Sequence, residues 1–176
     1  MQQRVISAGI IIFRRASDGI KFLILYHGGS YWNFPKGKIE SEENSWQTAL
    51  REVQEETGLK SNEIKFIGNF KTHEKFFYRR GKDKIHKTVI LYLAETKQRK
   101  IIAASKEHEG YGWFTYAEAK NILSKHPGSV AIINKAYAFL RRKSLQSGSQ
   151  NTKRASSHIQ RRRPSSRPAS SFPRSG

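Results

Sequence analysis

Glu52, Glu55 and Glu56 lie in a stretch, residues 42–57, whose spacing predicts a helix. At about 100° per residue, with Trp46 at zero, they fall at about 240°, 180° and 280°, forming one acidic arc. Ala49, Leu50, Val53 and Thr57 lie within about 60° of Trp46, an apolar stripe for a core. Crowded carboxylates repel one another, by a few tenths of a kcal/mol for each pair one turn apart. Arg51 borders the arc but cannot neutralise three acids. A hard divalent cation could, because carboxylate oxygens suit Mg²⁺, which also bridges to substrate phosphates. A solvated acidic helix face is the plainer alternative.

The surroundings sharpen the choice. From Gly37 the chain fits G-x5-E-x7-R-E-U-x-E-E-x-G-U, with U aliphatic. The fixed positions are Gly37, Glu43, Arg51, Glu52, Glu55, Glu56 and Gly58, with Val53 and Leu59 at the aliphatic ones. Seven fixed matches at one start have odds of about one in a billion at average residue usage. The pattern resembles the Nudix box in full. That resemblance implies an α/β/α sandwich on a mixed β-sheet and hydrolysis of a phosphoanhydride. It implies Glu52, Glu55 and Glu56 as ligands of Mg²⁺ or Mn²⁺, Arg51 as the residue orienting them, and Gly37 as a close backbone approach to the metal. Glu43 reads as a structural salt bridge or loop anchor.

Similarity extends over roughly residues 4–140. SAGIIIFRR, YWNFPKGKIE, KTVILYLAE and EHEGYGWFTYAEA are similar to the asymmetrical diadenosine tetraphosphate hydrolases within that family. The resemblance implies that Lys36 and Lys87 touch the phosphate chain and that Glu107 is a further metal ligand or general base. It makes Tyr78 (or Phe77) and Tyr111 candidates for stacking a base. Those hydrolases often carry a histidine immediately before the tryptophan of the proline–lysine–glycine turn; here Ser30-Tyr31 precede Trp32, and His27 lies upstream.

These residues need elements to position them. Residues 5–13 and 22–26 are β-rich runs about the turn signal Ser17-Asp18-Gly19, a hairpin. Ser41 is the expected N-cap of the acidic helix, Glu42 and Glu43 suit its positive end, and Gly58 ends it. Residues 64–70, 75–78 and 88–94 read as strands, with a basic turn at Arg79-Arg80-Gly81-Lys82. Residues 111–114 read as a short strand, and 116–123 and 130–142 as helices about Pro127-Gly128.

Residues 144–176 hold seven basic side chains and no acid among Ser, Gln, Gly and Pro. Such composition cannot bury enough apolar surface to offset ordering entropy, so a domain over 1–143 and a disordered basic tail over 144–176 are expected. Residues 1–143 keep 26 of the 33 lysines and arginines against all 14 acids, a net +12. That field attracts polyanions, and RNA contact through the tail fits it. Cysteine is absent, which excludes disulfides and thiolate metal sites. No apolar run spans a bilayer and no signal peptide is visible, so a cytoplasmic protein is expected. The leading function is cleavage of diadenosine tetraphosphate to ATP and AMP. The alternatives are RNA 5′-pyrophosphate removal, hydrolysis of another nucleoside triphosphate, and a non-catalytic nucleotide- or RNA-binding module.

Overall fold

Ser17-Asp18-Gly19 makes the tight turn its composition predicts: Ala16 pairs with Gly19, joining β1 (Gln2–Ala16) to β2 (Gly19–Tyr26). The computed structural model describes residues 2–102 and 108–160, with side chains from 3 to 102 and from 108 to 146. β3 (Trp32–Asn33), β4 (Lys36–Lys38), α1 (Ser45–Thr57), β5 (Ile64–Arg80), β6 (Asp83–Thr96), β7 (Gly110–Thr115), α2 (Tyr116–Ile122) and α3 (Pro127–Gln160) follow. The seven strands described form one mixed sheet in the order β3-β2-β1-β6-β5, with β4 paired to β1 and β7 to β2. β1 and β6 run parallel and the other pairs antiparallel.

Alternation along the strands sorts the side chains onto two faces. One carries Ala8, Ile10, Ile12, Leu23, Leu25 and Ala94, buried with Ala49 and Val53 of α1. The other carries Ile11, Phe13, Phe22, Ile24, Val89, Leu91 and Leu93, all buried. Ile132, Ile133 and Ala136 of α3 are buried too, and a Cβ at Gly128 would overlap the Glu74 carboxylate of that second face. The described residues up to Phe139 form one unit, and those from Leu140 onward belong to a second. α3 extends through Gln160, past Ser144 where the basic tail was expected to begin; residues 161–176 lie outside those described.

Three expectations change. The segments 64–70 and 75–78 belong to one strand, β5, which absorbs an irregularity between Phe66 and Lys71. The acidic helix starts at Ser45, because Asn44 rather than Ser41 caps it. Its side chain accepts from Trp46 and Gln47 N–H, and Gln47 returns a bond to the Asn44 N–H. Glu42 and Glu43 therefore precede the helix. Gly58 ends it as expected, at φ 69°, where any side chain would be strained. Finally, Trp46 is 38% exposed and rests at the helix edge on Phe66 and Tyr92, not in the core.

Candidate active site

The side chains buried on α1 are Thr48, Ala49, Val53, Glu56 and Thr57. Glu56 lies about 20° from Ala49 around the helix, inside the buried arc. Its side chain is only 7% exposed and that of Glu52 13%, against 56% for Glu55. The expected outward-facing acidic arc is thus wrong for two of its three members. Glu52 and Glu56 turn toward the edge of the sheet and only Glu55 faces solvent.

Strand β4 receives them. The Lys36 N–H donates to Glu56 Oε2 at 2.9 Å. The Glu52 carboxylate occupies the space where a Cβ at Gly37 would stand, so only glycine permits this approach. β4 in turn is fixed by pairing with Ser7, Ala8 and Gly9 of β1.

Arg51 orders the array. Its Nε and Nη2 donate to the two oxygens of Glu43 at 2.6 and 2.9 Å, and its Nη1 donates to Glu52 Oε1 at 2.8 Å and Glu55 Oε2 at 3.0 Å. The guanidinium holds the Glu43 carboxyl down at about 2, helped by Thr48 Oγ1 and the Glu40 amide. Hydrogen bonding to Glu43 raises the pKa of Arg51 in turn. Glu43 is therefore an anchor for Arg51, the structural alternative raised by the sequence.

Register places the Lys36 side chain with Gly9, on the face opposite α1. There it influences Lys87 and Glu74 electrostatically. Burial, then the charge of Lys36, lowers the pKa of Lys87; burial raises that of Glu74. Tyr78 shares this face through the alternation of β5, whereas Phe77 points to the other. Tyr111 packs against the buried cluster beside α1, and its hydroxyl accepts from the Ile101 N–H at 3.2 Å. Glu107 lies outside the described residues.

Several neighbours were not assigned to the site by sequence reasoning. His108 Nε2 stands 3.0 Å from Glu56 Oε1, and its ring meets His27 edge-on at 4.3 Å. His27 folds back on Tyr31, with ring centroids 5.0 Å apart, because the turn through Gly28 and Gly29 pairs His27 N–H with Tyr31 C=O. Tyr31 in turn meets His126. Burial, then His108 and Lys36, hold the His27 imidazole neutral down to about 4. Glu74 was missed because its segment was read as a gap between two strands; continuous alternation from Thr72 to Tyr78 would have placed it beside Lys87.

The donor set suits a hard divalent cation: two nearly buried carboxylates, a third at the rim, and bare backbone at Gly37. Among the described residues, no three His, Asp or Glu side chains converge closely enough to hold a metal by themselves. Water and substrate phosphate commonly complete Mg²⁺ coordination.

A loop–helix site of this form on a mixed sheet defines a class. The Nudix domain model matches residues 3–135, and the chain belongs to the Nudix family, whose hydrolases generally use a divalent metal. Among curated relatives, the asymmetrical bis(5′-nucleosyl)-tetraphosphatase of Sus scrofa is 34% identical over 143 residues, covering 76% of this chain and 94% of that protein. The Mus musculus enzyme of the same name is 37% identical over 122 residues, 64% of this chain and 80% of its own. Among solved structures, a C. elegans Ap4A hydrolase binary complex is 28% identical with a TM-score of 0.67, covering 78% of this chain and 98% of that one. No described helix is long and apolar enough to cross a membrane.

Proposed function

We propose that this chain hydrolyses dinucleoside polyphosphates asymmetrically, cleaving diadenosine tetraphosphate to ATP and AMP with Mg²⁺ or Mn²⁺. One observation carries the reading. Lys36 joins two half-sites: its backbone N–H holds Glu56, while its ammonium lies with Lys87 on the opposite face. A carboxylate cluster and a lysine pair hinged at one residue suit a metal-bridged phosphate chain extending to either side. The relatives named for this reaction support the same substrate class.

Glu52 and Glu56 would hold the cation, with Glu55 at the rim, Gly37 supplying bare backbone, and Glu107 an added ligand or base. A divalent cation there supplies neutralisation of phosphate charge and a more acidic attacking water. The chain does the positioning. Lys36 N–H and His108 fix Glu56, and Arg51 fixes Glu52 and Glu55, so neither array reorganises as charge develops. Lys36 and Lys87 take the non-bridging phosphate oxygens, relieving two like charges held near one another. Glu55, the solvent-facing carboxylate, accepts the proton of the attacking water. Water adds to phosphorus in line, the bridging P–O bond breaks, and ATP and AMP leave without a covalent enzyme intermediate. Tyr78, on the face of Lys87, is placed to stack one base; Tyr111 serves the core.

The test is a product screen over diadenosine tetraphosphate, nucleoside triphosphates and 5′-triphosphorylated RNA, each with Mg²⁺ and with EDTA. ATP plus AMP from the dinucleotide, abolished by EDTA, is expected. Faster pyrophosphate release from RNA than from any nucleotide would replace the substrate assignment, and no turnover under Mg²⁺ would leave only binding.

A further inference from the structure

Beyond the end of α1, the face of the sheet that this helix covers elsewhere is exposed among the described residues. Three strands present a grid there. Arg4 of β1 aligns with His86 of β6 and Phe77 of β5, and Ile6 aligns with Thr88 and Lys75. Lys84 and Arg79 extend the grid toward the hairpin tip. Phe77 is 62% exposed and Ile6 47%. Lys84 Nζ lies 4.4 Å from the Phe77 ring centroid, and the His86 ring is 6.2 Å away. Arg4, Ile6, Lys75, Phe77, His86 and Thr88 line a depression of about 690 Å³. This volume lies within the range of ligand clefts, about 300–1,000 Å³.

Charge separates the two sides of β5. Lys71, His73, Lys75, Phe77 and Arg79 alternate onto the open face, all exposed, whereas Glu74 and Tyr78 face Lys87 on the other. Among the described residues the grid holds Arg4, Lys75, Arg79 and Lys84 and no carboxylate. Asp83 pairs in register with Arg80, on the opposite side. The cations Lys71, Lys75 and Arg79 therefore recur at every fourth residue of β5, about 13 Å apart, with the exposed Phe77 between the last two. A face held together for stability alone would mix in acids and would not leave a ring as exposed as Phe77.

We propose that this face binds single-stranded nucleic acid, its cations meeting phosphates on either side of a base stacked on Phe77. Backbone neutralisation combined with base stacking on aromatic side chains is the physics of sequence-tolerant strand binding. The platform is separate from the carboxylate site, which lies on β4 and α1.

The experiment is fluorescence anisotropy on the full chain with an oligouridylate of about twelve nucleotides bearing a 5′-hydroxyl, which offers no phosphoanhydride to cleave. Phe77→Ala should weaken binding about tenfold and leave affinity for heparin, a polyanion without bases, unchanged. Lys75→Glu with Arg79→Glu should weaken both ligands and flatten the slope of log affinity against log salt by about 1.4 for two lost phosphates. Turnover of diadenosine tetraphosphate should stay within about twofold in both variants, which also reports intact folding. Oligothymidylate should compete, and the matching duplex should compete poorly. The proposal is overturned if both platform variants bind oligouridylate normally and Arg161→Glu, Arg162→Glu and Arg163→Glu together abolish binding. Equal loss of heparin and oligouridylate in Phe77→Ala, or stronger competition by polyglutamate than by oligothymidylate, also overturns it; the latter would identify an acidic protein partner.

Discussion

Arg51 and Glu43 form a two-pronged ion pair, with both carboxylate oxygens engaged at 2.6 and 2.9 Å. The remaining guanidinium nitrogen holds Glu52 and Glu55. Glu43 thus acts on the acidic array through Arg51. The pair has a pH signature. Folded Glu43 keeps its carboxylate to about 2, against 4.5 for the free group. Between those values the unfolded chain binds the proton first, so stability is complete above 4.5 and falls as pH drops toward 2. Glu43→Gln should flatten this part of the acid limb, measured as urea midpoint against pH, and should also lower kcat by releasing Arg51.

Glu56→Gln should reduce turnover about a thousandfold or more while keeping an acceptor for the Lys36 N–H. Glu56→Ala removes that acceptor as well. It should cost about 1–3 kcal/mol in addition, read by denaturant unfolding. Equal stability of the two variants would show that the Lys36 bond contributes nothing.

Lys87→Met should raise KM about tenfold or more with a smaller effect on kcat, because in the proposed role the lysine would bind phosphate in ground and transition states alike. Folding stability should hold or rise, since a half-buried cation beside another is removed. Steady-state kinetics and a thermal melt on the same preparation check both halves.

His27 stays neutral down to about 4, against an ordinary 6.5. Burial and nearby positive charge depress it, so its contribution is complete above 6.5 and is lost as pH falls through 4. His27→Gln should remove this slope. Imidazole titration by NMR should find the midpoint near 4 in the free protein.

Trp46→Ala should cost about 1–2 kcal/mol. A fully buried tryptophan would cost about 3–5, but this one is open on one side and contributes edge packing against Phe66 and Tyr92. A urea titration distinguishes the two.

The difference over Trp46 shows what the sequence could and could not reveal. The first hairpin, the Gly58 stop and the strand expected at 111–114, found at 110–115, were legible because turn chemistry and alternation act locally. The direction of the acidic arc was not. Centring the helical wheel on Trp46 assumes that the largest apolar residue is the most buried, whereas the buried arc centres near Ala49 and carries Glu56 inward. The cap was misplaced for a related reason. Glu42 and Glu43 look like first-turn acids, yet Glu43 is committed to an arginine eight residues ahead. Likewise, the cluster of His27, Tyr31, His108 and His126 joins three separate stretches of chain, and only folding brings them together.

Between the pairings Phe66↔Ala94 and Lys71↔Tyr92, β5 advances five residues while β6 advances two. The excess is odd, so the irregularity acts as a parity switch. Even-numbered side chains, Ile64 and Phe66, look toward α1 before it; odd-numbered ones look that way after it. Regular alternation through the same five residues, with no irregularity to absorb the odd one, would exchange the two outward programmes of the whole hairpin arm. Glu74 and Tyr78 would leave the company of Lys87, and Lys75 and Phe77 would take their seats.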